Sequence, residues 1–144
     1  MKPTALFATL SLSLSLFLAA GPTRAQEFAP DGDAEAGGVV FQDLCATCHG
    51  ADARGAGPMA SVLSIEPANL TELSQRNDGI FPLESAVRQI DGRDPLLVHG
   101  GPMPIFGNDL EGPGAALKTP SGQPILTSQP IVDLVTWLYQ QQEN

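Results

Sequence analysis

The apolar positions fall into helical stretches separated by segments with no regular period. Gly37, Phe41, Leu44 and Cys48 follow an i, i+4, i+7, i+11 stripe, which puts them on one face of an amphipathic helix. Near the end of the chain Ile131, Leu134, Val135 and Leu138 recur at i, i+3, i+4, i+7, with Thr127 as a candidate N-cap and Pro130 tolerated in the first turn. Between them, residues 82–90 (PLESAVRQI) predict a middle helix: Pro82 opens it, Leu83, Ala86, Val87 and Ile90 share a face, and Gly92 stops it. Shorter helical turns are expected near residues 60–64 and 70–75. No alternating or β-branched run offers a strand for a parallel sheet, so the expected class is all-α, with three main helices plus short turns. No internal repeat is visible. Residues 107–126 (GNDLEGPGAALKTPSGQPIL), rich in Gly and Pro, read as a long ordered surface connection.

The first 25 residues have a different pattern, apolar without period. Lys2 precedes a Leu-rich run over residues 5–20, Gly21-Pro22 breaks it, and Thr23-Arg24-Ala25 sets small residues at the two positions a signal peptidase reads. Its 16 residues, several of them serine, fall short of the roughly 20 needed for a span. Residues 1–25 are therefore expected to be a cleaved signal peptide, 26–32 a flexible arm and 33–144 one domain, with no stable membrane insertion after cleavage and a periplasmic location. Composition fits that division: 42% of residues are hydrophobic, enough for a packed interior in a single domain. After cleavage, 119 residues would carry 16 acids against five bases, a net charge of −11. That sign excludes non-specific attraction to nucleic acid or anionic membranes and favours a partner with a basic docking surface.

Export makes the two cysteines informative, because an oxidising compartment pairs thiols unless they have another use. They lie in Cys45-Ala46-Thr47-Cys48-His49, and a His directly after the second Cys distinguishes covalent haem attachment from other uses of this spacing. A thioredoxin-type pair needs a preceding strand in a parallel sheet, which the pattern lacks. A zinc site needs four ligands, and beyond Cys45, Cys48 and His49 only His99 remains. A structural disulfide leaves the His unused. Two thiols one helical turn apart can each add to a vinyl group of one porphyrin, with the adjacent imidazole directed at the iron. One covalent haem c would also supply apolar surface that a domain this small otherwise lacks.

The sixth iron ligand decides what such a haem does. Met59 lies only ten residues after His49 in a Gly-rich segment and would have to cross to the opposite face. Met103 lies in Gly100-Gly101-Pro102-Met103-Pro104, where Pro and Gly forbid a helix and an extended loop can present the sulfur. Met103 is the expected ligand and His99 the runner-up; a thioether would raise the reduction potential relative to a second imidazole. Arg93 has two readings, a counter-ion for a haem propionate or a solvated helix-end cation.

Taken in order, Gly32-Asp33-Ala34-Glu35-Ala36-Gly37, Phe41, Cys45-Ala46-Thr47-Cys48-His49-Gly50, Gly55-Ala56-Gly57-Pro58, Pro67-Ala68-Asn69-Leu70-Thr71, Ile90-Asp91-Gly92-Arg93, Met103-Pro104 and Asp133-Leu134-Val135-Thr136-Trp137-Leu138 resemble a monohaem class I cytochrome c of bacterial export type. The resemblance covers nearly all of the expected mature chain. It implies the cytochrome c fold wrapped around one covalently bound haem, and electron transfer rather than enzymatic turnover. It also implies that the Pro58 carbonyl accepts a hydrogen bond from His49, and that Gly37 and Phe41 cross Leu134 and Trp137 of the last helix. The chain departs from mitochondrial-type relatives in having one lysine, Lys118, after the signal segment, so docking by a lysine ring is excluded. The expected role is a periplasmic carrier of single electrons with His49 and Met103 as axial ligands. The alternatives are a haem subunit of a larger oxidoreductase and a sensor or peroxidase-like protein with a labile sixth ligand.

Overall fold

The computed structural model describes residues 29–93, 103–119 and 122–143. In chain order they form helix α1 (Ala34–Leu44), a one-turn helix α2 (Ala46–His49), three 3-10 turns (Ala60–Val62, Leu70–Glu72 and Gln75–Asn77), helix α3 (Leu83–Asp91), strands β1 (Gly114–Leu117) and β2 (Ile125–Ser128), and helix α4 (Gln129–Gln140). The expected signal segment 1–25 lies outside the described residues. Among the described residues no helix is long and apolar enough to cross a membrane.

Helices α1 and α4 cross to make the centre of the fold. At the crossing a Cβ on Gly37 would collide with the Asp133 backbone, so only a glycine lets the two helices approach this closely. Phe41 stacks on Trp137 with ring centroids 4.3 Å apart, and Phe41, Leu134 and Val135 are essentially inaccessible to solvent. Polar side chains fix the register of the crossing. The Asp33 carboxylate caps α1 by accepting the N–H of Glu35 (2.9 Å) and Ala36 (3.1 Å). Asp133, buried in α4, accepts the Asp33 N–H and the Gln129 side-chain amide, both at 2.8 Å.

Three sequence expectations need correction. The fold is not purely helical, because β1 and β2 pair antiparallel, Gly114 opposite Ser128 and Leu117 opposite Ile125. The connection 107–126 therefore contains β1 and the first residues of β2, fastened where Leu117 enters the core and the Gln129 N–H meets the Pro113 carbonyl at 2.8 Å. Residues of the expected flexible arm are tied down at its end: Pro30 is buried and the Gly32 N–H donates to Thr136 Oγ1 at 2.9 Å. Ser128 rather than Thr127 precedes α4, and its hydroxyl is turned to the Leu110 carbonyl (2.5 Å) instead of capping the helix. By contrast, α3 keeps its expected bounds closely, with Pro82 before its first residue and Gly92 ending it in the left-handed conformation at φ 76°.

Candidate functional site

The Cys45–His49 motif spans a break in the first helix. α1 ends at Leu44, Cys45 keeps a helical bond from its N–H to the Phe41 carbonyl (2.9 Å), and α2 then carries Cys48 and His49. A helix end leaves its last four carbonyls without intrahelical partners, and α2 consists of nothing but such residues. The following loop supplies a donor for each of them. Gly50 N–H reaches Ala46 (2.9 Å), Met59 reaches Thr47 (3.0 Å), Gly57 reaches Cys48 (3.0 Å) and Gly55 reaches His49 (2.6 Å). Glycine is required for two of these approaches. A Cβ on Gly57 would stand 2.6 Å from the Cys48 carbonyl, and Gly55, at φ 89°, packs its backbone on the Pro67 carbonyl.

The His49 imidazole is held by its own hydrogen bond, Nδ1 to the Ala68 carbonyl at 2.9 Å. A carbonyl only accepts, so Nδ1 carries the proton and Nε2 keeps a free lone pair, the form a metal-binding imidazole needs. The Pro58 carbonyl, expected in this place, does not fill it. Pro58 is exposed, between two residues whose N–H groups are turned in toward α2, and the chain returns to the imidazole only at residue 68. Asn69 steadies the return: its Oδ1 accepts the N–H (3.0 Å) and hydroxyl (2.8 Å) of Thr71, capping the turn Leu70–Glu72.

Beside this imidazole lies an apolar cleft with about 720 Å³ of unfilled space, counting the part that opens to solvent. Phe41 of α1, Cys45 just beyond it, His49, and Leu134 and Leu138 of α4 form one part of its wall. Leu70 and Leu73 form another, and Pro82 with Ser85, Ala86, Gln89 and Ile90 of α3 forms a third. α3 thus serves two surfaces, burying Leu83 and Val87 in the core while its adjoining face lines the cleft. Met103, half-buried against the core, lines the same cleft. Met59 is 43% exposed, absent from the cleft wall and anchored by its backbone to α2. His99 falls outside the described residues. Cys48 is half-buried on α2 and is not among the cleft-lining residues. Arg93 is not part of the cleft wall: its Nε donates to the Asp91 carboxylate at 2.5 Å and its backbone N–H to the same side chain at 3.0 Å, an ion pair at the end of α3.

The donor set fits a haem. One imidazole nitrogen, one thioether and a thiol border a cavity whose wall is otherwise almost wholly apolar, which suits a flat hydrophobic macrocycle. Among the described residues no group of three or more His, Cys, Asp or Glu is placed to hold a bare metal ion. Both cysteines are free. Burial, and secondarily Cys48, push the Cys45 thiol up from 9.0 to about 11. The hairpin found in the structure does not revive a thioredoxin-type reading, since it is antiparallel and follows the motif in the chain.

Sequence reasoning missed the Ala68 carbonyl and most of the α3 wall. A backbone acceptor has no side-chain signature; the available signal was Asn69, a cap residue directly after it. Ser85 and Gln89 sit on a helix face that looks solvated until the cleft is seen.

Comparison with known families agrees with this site. The cytochrome c family model matches residues 34–142, and the chain belongs to that family. Neither a curated protein nor a solved structure gives a match. A haem-binding, electron-transfer role follows at the level of the family, as does a covalently bound haem c.

Proposed function

We propose that the protein is a periplasmic carrier of single electrons, not an enzyme, holding one haem c through thioethers at Cys45 and Cys48 with His49 and Met103 as axial ligands. The observation that carries this reading is the meeting of Cys45, His49 and Met103 on one apolar cleft, with the Nδ1 proton of His49 already committed to Ala68. A haem bound there supplies a one-electron ferric/ferrous couple. The chain's own residues do the rest. Ala68 orients the imidazole and raises its basicity, while the leucines around the cleft exclude water. Residues 1–25 act as the export signal. The acidic chain, −11 after cleavage with Lys118 as its single lysine, favours a partner with a basic docking surface.

The mass of the mature protein tests cleavage after Ala25 and porphyrin attachment together. Ligation is tested by two variants: Met103→Ala abolishes the weak far-red sulfur-to-iron absorption of the oxidised protein, and Met59→Ala retains it. Loss of that band in Met59→Ala with its survival in Met103→Ala would reverse the assignment.

A further inference from the structure

We propose that Gln142, just beyond α4, is a positioning residue that tunes the haem iron through His49; the inference rests on the haem reading above. The Gln142 side chain makes three hydrogen bonds, all to backbone groups of other segments. Oε1 accepts the Ser74 N–H at 2.8 Å, and Nε2 donates to the carbonyls of Leu70 (2.9 Å) and Leu138 (2.7 Å). One amide therefore joins the last helix to both ends of the 70–74 segment. Glu143 adds a second tie, its N–H on the Thr71 carbonyl at 2.8 Å and its carboxylate on Arg54 of the loop that closes α2.

The segment so clamped does two things at the site. Leu70 and Leu73 are walls of the cleft, and Ala68, directly before the Asn69 cap, carries the carbonyl that holds His49 Nδ1 at 2.9 Å. Leu70 and Leu138, whose carbonyls both receive Gln142 Nε2, both line the cleft, so the clamp sets the distance between two of its faces. A firmly held Ala68 carbonyl keeps the imidazole electron-rich and favours the ferric state. Loosening it makes the imidazole a poorer donor and shifts the potential upward.

The test compares holoproteins. Gln142→Ala raises the reduction potential and speeds exchange of the His49 Nδ1 proton, read by NMR, roughly fivefold to tenfold. Gln142→Glu keeps the acceptor for Ser74 but sets a carboxylate oxygen against the Leu70 and Leu138 carbonyls, so its Nδ1 exchange is at least as fast as in Gln142→Ala. Ser128→Ala removes the hydrogen bond to Leu110, outside the cleft, and leaves potential and exchange unchanged. A Gln142→Ala holoprotein whose potential and Nδ1 exchange match the parent overturns the inference, whatever its melting temperature. So does an equal shift in Ser128→Ala. The masses separate the two levels: a parent protein lacking covalent porphyrin overturns the haem reading, whereas a loaded protein with an unmoved potential overturns only the role of Gln142.

Discussion

On the α2 side of the cleft all four carbonyls of the one-turn helix have donors, the imidazole has its acceptor, and two glycines admit backbone where no side chain fits. On the opposite bank Met103 sits in a loop whose described anchors lie downstream. Phe106 N–H reaches the Ile90 carbonyl at 3.0 Å, and the N–H groups of Asp109 and Leu110 return to Phe106, with Pro104 and Ile105 exposed in between. On one bank the ligand side chain itself is held by a hydrogen bond, whereas on the other the hydrogen bonds described fasten the backbone beyond Met103 and its flexible thioether is held by packing. The two should therefore fail differently. Damage to the α2 bank costs the fold itself, while damage to the Met103 bank changes the chemistry and leaves most of the fold standing.

The largest effect is expected from Gly57→Val. Its Cβ would fall 2.5 Å from the Thr47 carbonyl oxygen and 2.6 Å from the Cys48 carbonyl, backbone atoms that cannot turn aside. A cost of about 3 kcal/mol follows, visible as a lower midpoint in denaturant. An unchanged midpoint would mean that the loop does not need this close approach. Met103→Ala comes next, at about 2 kcal/mol, the low end for truncating a Met because the side chain is only half-buried. Its distinctive outcome is chemical: the variant gains carbon monoxide binding at neutral pH that the parent lacks. A parent that binds the gas as readily would favour the sensor reading.

These expectations also show what the chain made legible. The stripes through Phe41 and Leu134 were readable because an amphipathic helix repeats its contacts along the sequence, and the motif through His49 because its side chains are the chemistry. Met103 stood out as a sulfur between prolines. The hairpin did not, since Gly114-Ala115-Ala116-Leu117 has little intrinsic preference for a strand and is held by tertiary packing of Leu117 and its pairing with β2. The partner of His49 was also hidden. The loop after α2 turns N–H groups inward to serve four carbonyls, so Pro58 was the wrong place to look for an acceptor. Only the geometry shows that residue 68 supplies it.

The α2 bank can be probed by pH in protein that has not received its porphyrin. Cys45 titrates at about 11 in the fold against an ordinary 9.0, because burial, and then Cys48, disfavour the thiolate. The folded state therefore holds its proton where the unfolded chain has begun to lose it. The contribution to stability is full below pH 9 and is lost as pH climbs toward 11. Reduced, haem-free protein should lose stability across that window, and Cys45→Ala should flatten the profile. A parallel decline in both proteins would assign the loss to another group. Asn69→Ala is milder, about 1 kcal/mol for losing a cap, measured by denaturant unfolding.

The smallest effect is expected at Arg93, and it separates two roles that one side chain cannot fill at once. If the guanidinium neutralised a haem propionate, its removal would withdraw positive charge from the iron's surroundings, favour the ferric state and lower the potential. The structure instead commits Nε to Asp91 at 2.5 Å and leaves the arginine about half exposed, where an ion pair is screened by water and salt. Arg93→Gln should accordingly cost less than about 1 kcal/mol and leave the potential where it was. Titrating the potential of this variant against the parent at low ionic strength gives the charge its best chance of being seen. A clear fall would mean that Arg93 swings from Asp91 to the propionate in the loaded protein, and would add an electrostatic anchor to a Met103 bank otherwise held by packing.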